Sequence, residues 1–328
     1  MLSGIIAGIT WAFETIVIGV ALAMSPFFVT EEAIFLAPLV STFIHDVFSA
    51  VWATIYNAVR GNTGKVIKAF KTRDGKFVSL AAIIGGPVGM TGYLMAVNNM
   101  GASIGSVASA IFPAIGAVLA HVFLKERMKW YQWVSLILTI LGVCGLWVDP
   151  NLSIDMSHFA LGLCGALMCA FGWGIEGVIL AKCLKTDEVK DEYALQIRQT
   201  TSGVTYGVIV LPALRVFAAK HGWAFTISLF KGTGWLIPTI MLAALFATVS
   251  YLFYYRAIAK IGASKAMALN ITYAAWAMVF TVIIFRDFSA VTPLSVLCAV
   301  VVIVCSIFAA ADIKELFSKK KILESKEG

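Results

Sequence analysis

Ala170-Phe171-Gly172-Trp173-Gly174-Ile175-Glu176-Gly177-Val178 decides how this chain is read. The same Trp-x-x-Glu pattern stands 162 residues earlier, in Gly8-Ile9-Thr10-Trp11-Ala12-Phe13-Glu14-Thr15-Ile16. Each copy sits inside an apolar run long enough to cross a bilayer. A carboxylate at that depth is costly and marks a functional site. The indole three residues before it lies on the same helix face. An acid beside an aromatic face suits an organic cation.

The repetition extends outward from these two stretches. Tyr93-Leu94-Met95-Ala96 leads to Gly101-Ala102-Ser103, and Tyr254-Tyr255-Arg256-Ala257 leads to Gly262-Ala263-Ser264, a step of 161. Both copies then run to a charge pair, Lys125-Glu126 and Arg286-Asp287. His45-Asp46 corresponds to Arg198-Gln199, and Ser49 to Ser202. Ten apolar segments fall near 2–22, 33–57, 78–97, 103–124, 130–148, 158–182, 193–217, 235–256, 264–285 and 291–311. They are too long for transmembrane strands and lack alternation.

The expected fold is an all-α integral membrane protein with ten transmembrane helices arranged as two inverted five-helix repeats. The units are 1–150 and 151–311, joined by a short polar linker near 150–157, with a basic cytoplasmic tail at 312–328. An odd helix count turns the second copy upside down, which puts a substrate site near the midplane where the units meet.

Composition agrees with a membrane class. The 328 residues are 60% hydrophobic and 13% charged, against roughly 25% charged in soluble domains. The net charge of +7 is a topology signal, so no nucleic-acid partner is needed. Basic residues in the loop Arg60–Lys76, at Lys125, Arg127 and Lys129, at Lys182, Lys185 and Lys190, at Arg256, Lys260 and Lys265, and in the tail share one side. Only Arg215, Lys220, Lys231 and Arg286 fall on the other. The positive-inside rule then places both termini in the cytoplasm. The first apolar run lacks a basic leader and a small-x-small cleavage site, so no cleaved signal peptide is expected. The six cysteines form no close Cys-x-x-Cys pair, so neither disulfides nor a metal site is expected. The sequence shows no phosphate-cradling Lys loop, no His-x-x-x-His helix and no nucleophile elbow. An enzyme, an ATP-driven pump and a cofactor are therefore not expected.

Several stretches resemble the drug/metabolite transporter superfamily. Ala110-Ile111-Phe112-Pro113-Ala114-Ile115-Gly116 through Phe123-Leu124-Lys125-Glu126-Arg127-Met128 is similar to its fourth helix and exit. His45-Asp46, Gly86-Pro87-Val88-Gly89-Met90, Ala170 to Glu176, Ile197 to Ser202, Ser250 to Tyr255 and Leu269 to Trp276 narrow the resemblance to bacterial choline uptake transporters. The resemblance runs from the first helix through the ninth and is weak in the loops. It implies choline import across a bacterial plasma membrane. Competing readings are an exporter of quaternary ammonium compounds and a non-transporting quaternary-amine receptor.

The chemistry of a quaternary amine selects residues independently. Its charge is wrapped in methyl groups, so it needs aromatic faces and an anion. The expected cage is Trp11, Trp173, Tyr273 and Trp276, with Tyr251 or Tyr254 as a further wall and Asn270 serving the hydroxyl end. Tyr273, Trp276 and Asn270 are expected on one face of one helix. Glu176 is the preferred counter-charge because its surroundings carry the closer resemblance, and the role of its mate Glu14 stays open. A protonated acid bonding two helices is the competing reading of either. Arg198, beside Gln199, needs an acid partner, from Asp46 or a first helix. His45, Asp46 or a buried glutamate is expected to exchange a proton. Gly86, Pro87 and Gly89 loosen the third helix and Pro113 interrupts the fourth; hinges and close packing of small residues both fit.

Overall fold

Apolar runs and strong start signals give a bundle of helices. The computed structural model describes residues 1–100, 105, 108, 110–146, 158–186, 188–232, 234–289 and 291–312. Among the described residues there is no strand. Gly101-Ala102-Ser103, the linker near 150–157 and the tail beyond 312 lie outside them.

In chain order the helices are α1 (Leu2–Leu22), α2 (Glu31–Val59), α3 (Thr63–Lys71), α4 (Arg73–Met100), α5 (Phe112–Leu124), α6 (Trp130–Leu146), α7 (Phe159–Cys183), α8 (Asp191–Phe217), α9 (Gly222–Lys231), α10 (Leu236–Ile261), α11 (Ala263–Asn270), α12 (Tyr273–Phe285) and α13 (Pro293–Ala310). Counting α11 and α12 as one span, eight helices among the described residues are long and apolar enough to cross a membrane, and α5 and α6 are shorter apolar helices.

The starts follow local chemistry. Thr30 caps α2 by accepting from Ala33 N at 3.0 Å, with Glu31 and Glu32 in the first turn. Thr292 and Ser295 form a capping box ahead of α13, with Pro293 in its first turn. α4 passes through a π turn at Ile84–Val88 that contains Pro87, and α8 through one at Tyr206–Val210 just before Pro212. A proline lacks its N–H and crowds the preceding turn, and a widened turn absorbs that misfit.

Three expectations need correction. The loop Arg60–Lys76 contains α3, whose Val66 and Ala69 are buried while Lys65, Lys68 and Lys71 point outward. Helical amphipathicity at low mean apolarity escapes a search for apolar runs. The third segment starts at Arg73 rather than 78, because Thr72 caps it onto Gly75 N at 3.0 Å. The ninth segment is two helices separated at 271–272, so Asn270 is not on the same helix as Tyr273 and Trp276. Pro113 stands in the first turn of α5, directly after a turn at 110–111, a place where its missing N–H costs nothing.

α1 packs along α10, and the second half of α4 packs along α7. α2 lies against α8, α6 against α13, α5 against α7, and α1 also against α11 and α12. One end of the bundle is tied by polar bonds between the helix termini. Glu192 accepts from Asn62 at 2.8 Å and pairs with Arg60 at 3.2 Å. Thr186 donates to Asp74 at 2.6 Å, and Arg256 donates to Asp191 at 3.1 Å. Glu126 caps α11, accepting from Ala263 N at 3.0 Å, Ser264 N at 3.2 Å and Ser264 Oγ at 2.9 Å. Gly262 enters that cap at φ 87°, a left-handed conformation that favours glycine. Removing the cap with Glu126→Ala is expected to cost about 1–2 kcal/mol, read as a lower thermal unfolding midpoint in detergent. An unchanged midpoint would show that another contact holds the start of α11.

Candidate functional site

Five helices bring charged and aromatic side chains together in the middle of the bundle. α1 supplies Trp11 and Glu14, α2 supplies His45 and Asp46, α7 supplies Trp173 and Glu176, α8 supplies Arg198 and Gln199, and α10 supplies Tyr251 and Tyr255. Asp46, Glu176 and Arg198 are 2%, 7% and 4% exposed. Buried charges at this depth persist only when paired and hydrogen-bonded.

Arg198 is the hub. Its Nε donates to Glu176 Oε1 at 3.0 Å, and its Nη1 donates to Gln199 Oε1 at 2.9 Å. Nη1 also lies 3.6 Å from Asp46 Oδ2, and the guanidinium stands 4.7 Å from the centre of the Tyr251 ring. Asp46 is held further by Ser202 Oγ at 2.5 Å and by His45 Nδ1 at 3.0 Å. Tyr255 OH donates to Glu176 Oε1 at 3.4 Å. Glu176, the acid preferred from sequence as a counter-charge, is therefore engaged by a residue of the protein itself.

Glu14 is placed differently. Its Oε1 is 3.5 Å from His45 Nε2, and Thr15 Oγ1 lies 3.5 Å from its other oxygen. The His45 contact is an ion-pair distance without hydrogen-bond geometry, since Nε2 has no hydrogen-bond partner. His45 thus stands between two carboxylates, bonded to Asp46 and merely close to Glu14. No arginine or lysine pairs with Glu14 among the described residues.

The aromatic residues divide into groups. Trp11 meets Tyr251 edge-on with ring centres 4.9 Å apart, and Tyr273 at 6.1 Å. Trp173 stacks on Tyr93 at 6.1 Å, meets Phe112 at 5.5 Å and donates from Nε1 to Gly85 O at 3.0 Å. Tyr273 lies within electrostatic reach of Tyr93, which links the two groups. Trp276 stacks on Phe280 at 6.1 Å, and Phe280 stacks on Phe13 at 4.3 Å, so it extends a phenylalanine cluster between α1 and α12. Tyr254 packs beside Tyr255 and near Gly177. Asn270 is buried at the end of α11, and its side-chain oxygen has no hydrogen-bond partner. Of the four rings of the expected cage, Trp11 and Tyr273 meet each other, while Trp173 and Trp276 make other ring contacts.

The glycines of α4 are where helices touch. A Cβ at Gly85 would overlap the Glu176 carboxylate, one at Gly86 the Ser202 hydroxyl, and one at Gly89 would lie 3.1 Å from the Trp173 ring. Close packing thus accounts for these positions, and Gly86 and Pro87 also lie within the π turn.

Sequence reasoning passed over Tyr255, Ser202 and Tyr93 as site residues. A signal existed: Tyr251 and Tyr255 are four apart on α10, as are Arg198 and Ser202 on α8, so each pair shares a face. Removing the hub with Arg198→Ala strands two buried carboxylates. We expect a loss of about 3–5 kcal/mol, seen as a collapse of the thermal unfolding midpoint or of monodisperse yield. A midpoint within a degree or two of the parent would show that the cluster tolerates unpaired acids.

Comparison with known proteins bears on this arrangement. Residues 1–148 match the EamA-like transporter family. The chain is 26% identical over 209 residues to Protein LicB of Haemophilus influenzae, covering 64% of this chain and 67% of that one. A solved crystal structure of a protein at 12% identity superposes with a TM-score of 0.70, over 94% of this chain and 95% of the other, which shows a shared fold. The apolar spans and the family match make this chain a multi-pass membrane protein whose first 148 residues are EamA-like.

Proposed function

We propose that this chain is a secondary transporter of ten membrane helices that imports choline or a close quaternary amine by alternating access. The observation that carries the reading is Glu14, which has no arginine or lysine partner among the described residues and lies three residues along α1 from Trp11, whose ring meets Tyr251 and Tyr273. A methylated ammonium gains attraction from ring faces, ~2 kcal/mol or more once desolvated, and the adjacent carboxylate supplies the counter-charge. Glu14 takes that role in place of Glu176, which Arg198 already holds. Trp173 and Tyr93 form the opposite wall, and Asn270, with its free carbonyl oxygen, receives the hydroxyl end. Tyr254 and Trp276 lie behind these walls and shape them.

The inverted-repeat reading, with units 1–150 and 151–311 and a cytoplasmic tail at 312–328, has backbone support. α5 and α12 each have 13 residues at a 161-residue step. They end in left-handed residues at Lys125, φ 56°, and Arg286, φ 54°. The packing is reciprocal, since the first helix of each half lies along the third helix of the other. The tied end of the bundle carries Arg60, Lys129 and Arg256, which supports its assignment to the cytoplasmic side of a bacterial plasma membrane with both termini there. Gly86, Pro87 and Gly89 sit where α4 would bend, and Pro113 where α5 begins.

An inside-negative potential supplies ~2.3 kcal/mol per charge per 100 mV, roughly a fiftyfold gradient for a monovalent cation. Radiolabelled choline is therefore expected to accumulate in proteoliposomes under such a potential. Trp11→Ala and Glu14→Gln should each weaken choline binding by about tenfold or more, from a lost wall or counter-charge. Binding without accumulation would make the protein a receptor, and full uptake by both variants would remove this site. The Glu14–His45–Asp46 contacts are the proposed proton path. A pH gradient, acid outside, at fixed voltage is expected to raise uptake, and insensitivity to it would eliminate proton coupling.

A further inference from the structure

We infer that the Arg198 cluster makes the site selective against quaternary amines that carry a carboxylate. The inference rests on the cation reading above and deepens it. An unoccupied arginine in an aromatic pocket would capture carboxylates, because its planar fork matches their geometry. Here two of its three nitrogens are engaged: Nε serves Glu176, Nη1 serves Gln199 and faces Asp46, and the guanidinium lies over Tyr251. That same Tyr251 meets Trp11, so the occupied arginine stands one ring away from the proposed cation corner.

The charge count points the same way. Glu14, Asp46 and Glu176 outnumber Arg198, and they still outnumber it when His45 is protonated. A cation arriving in this site reduces an excess of negative charge. A zwitterion brings its cation with a carboxylate that meets three acids and an arginine already engaged. Burying that carboxylate unpaired is costly. Discrimination thus comes from repulsion built into the site as well as from attraction to the ammonium. Asp46 and Glu176 are, on this reading, specificity-determining residues that act by occupying Arg198.

The test compares choline with trimethylglycine, which has the same trimethylammonium head and a carboxylate in place of the hydroxymethyl group. Binding of each to the purified full chain in detergent gives the ratio of affinities. The parent protein is expected to favour choline by about a hundredfold or more. Glu176→Gln removes a negative charge and weakens the hold on Nε, and it should narrow that ratio by about tenfold or more. Asp46→Asn gives an independent second variant with the same expected direction. The ratio separates selectivity from a general loss of binding, which would lower both affinities together. Parent affinities within about tenfold of each other, or an unchanged ratio in both variants, would overturn the inference. Binding of neither compound by the parent overturns the cation reading itself.

Discussion

A guanidinium shared between two buried carboxylates holds the centre of this molecule. Arg198 reaches Glu176 on α7 and Asp46 on α2, so one side chain joins three helices at mid-bundle. None of the three charges is tolerable there alone. Ser202, Tyr255 and Gln199 supply the remaining hydrogen bonds. Among the described residues the polar neighbours of Glu14 are His45 and Thr15, so the two acids of the repeated Trp-x-x-Glu pattern have unequal surroundings.

The backbone around the cluster is irregular where close approach demands it. The π turn of α4 brings Gly85 and Gly86 against Glu176 and Ser202, at distances where any side chain would collide. Gly8 does the same for α1, whose close approach meets Thr272 and the Leu269 carbonyl at the break between α11 and α12. That break separates Asn270 from Tyr273, which lets the two groups leave different helix ends. Small residues here allow helices to approach closely where no water is present to fill gaps.

The two ends of the bundle are built from different materials. One end is laced by Glu192, Asp191, Asp74 and Glu126 to partners on neighbouring helix termini. The other holds an apolar cluster of Phe27, Leu36, Leu211, Leu229 and Leu236.

Apolar run length and charge spacing made the membrane class legible in the sequence, because twenty residues without charge have few other uses. The 162-residue recurrence of Trp-x-x-Glu also made Glu14, Glu176, Trp11 and Trp173 visible as special, since buried acids are rare in apolar helices. Amphipathic α3 was hidden, as were the break at 271–272 and the start made by Pro113, because each depends on local geometry that mean apolarity does not record. What only the tertiary structure decided is which acid Arg198 takes. Glu14 and Glu176 share the Trp-x-x-Glu spacing, and their pairing is set by which side chains reach them in space: Arg198 of α8 extends to Glu176, and α2 offers Glu14 a histidine instead.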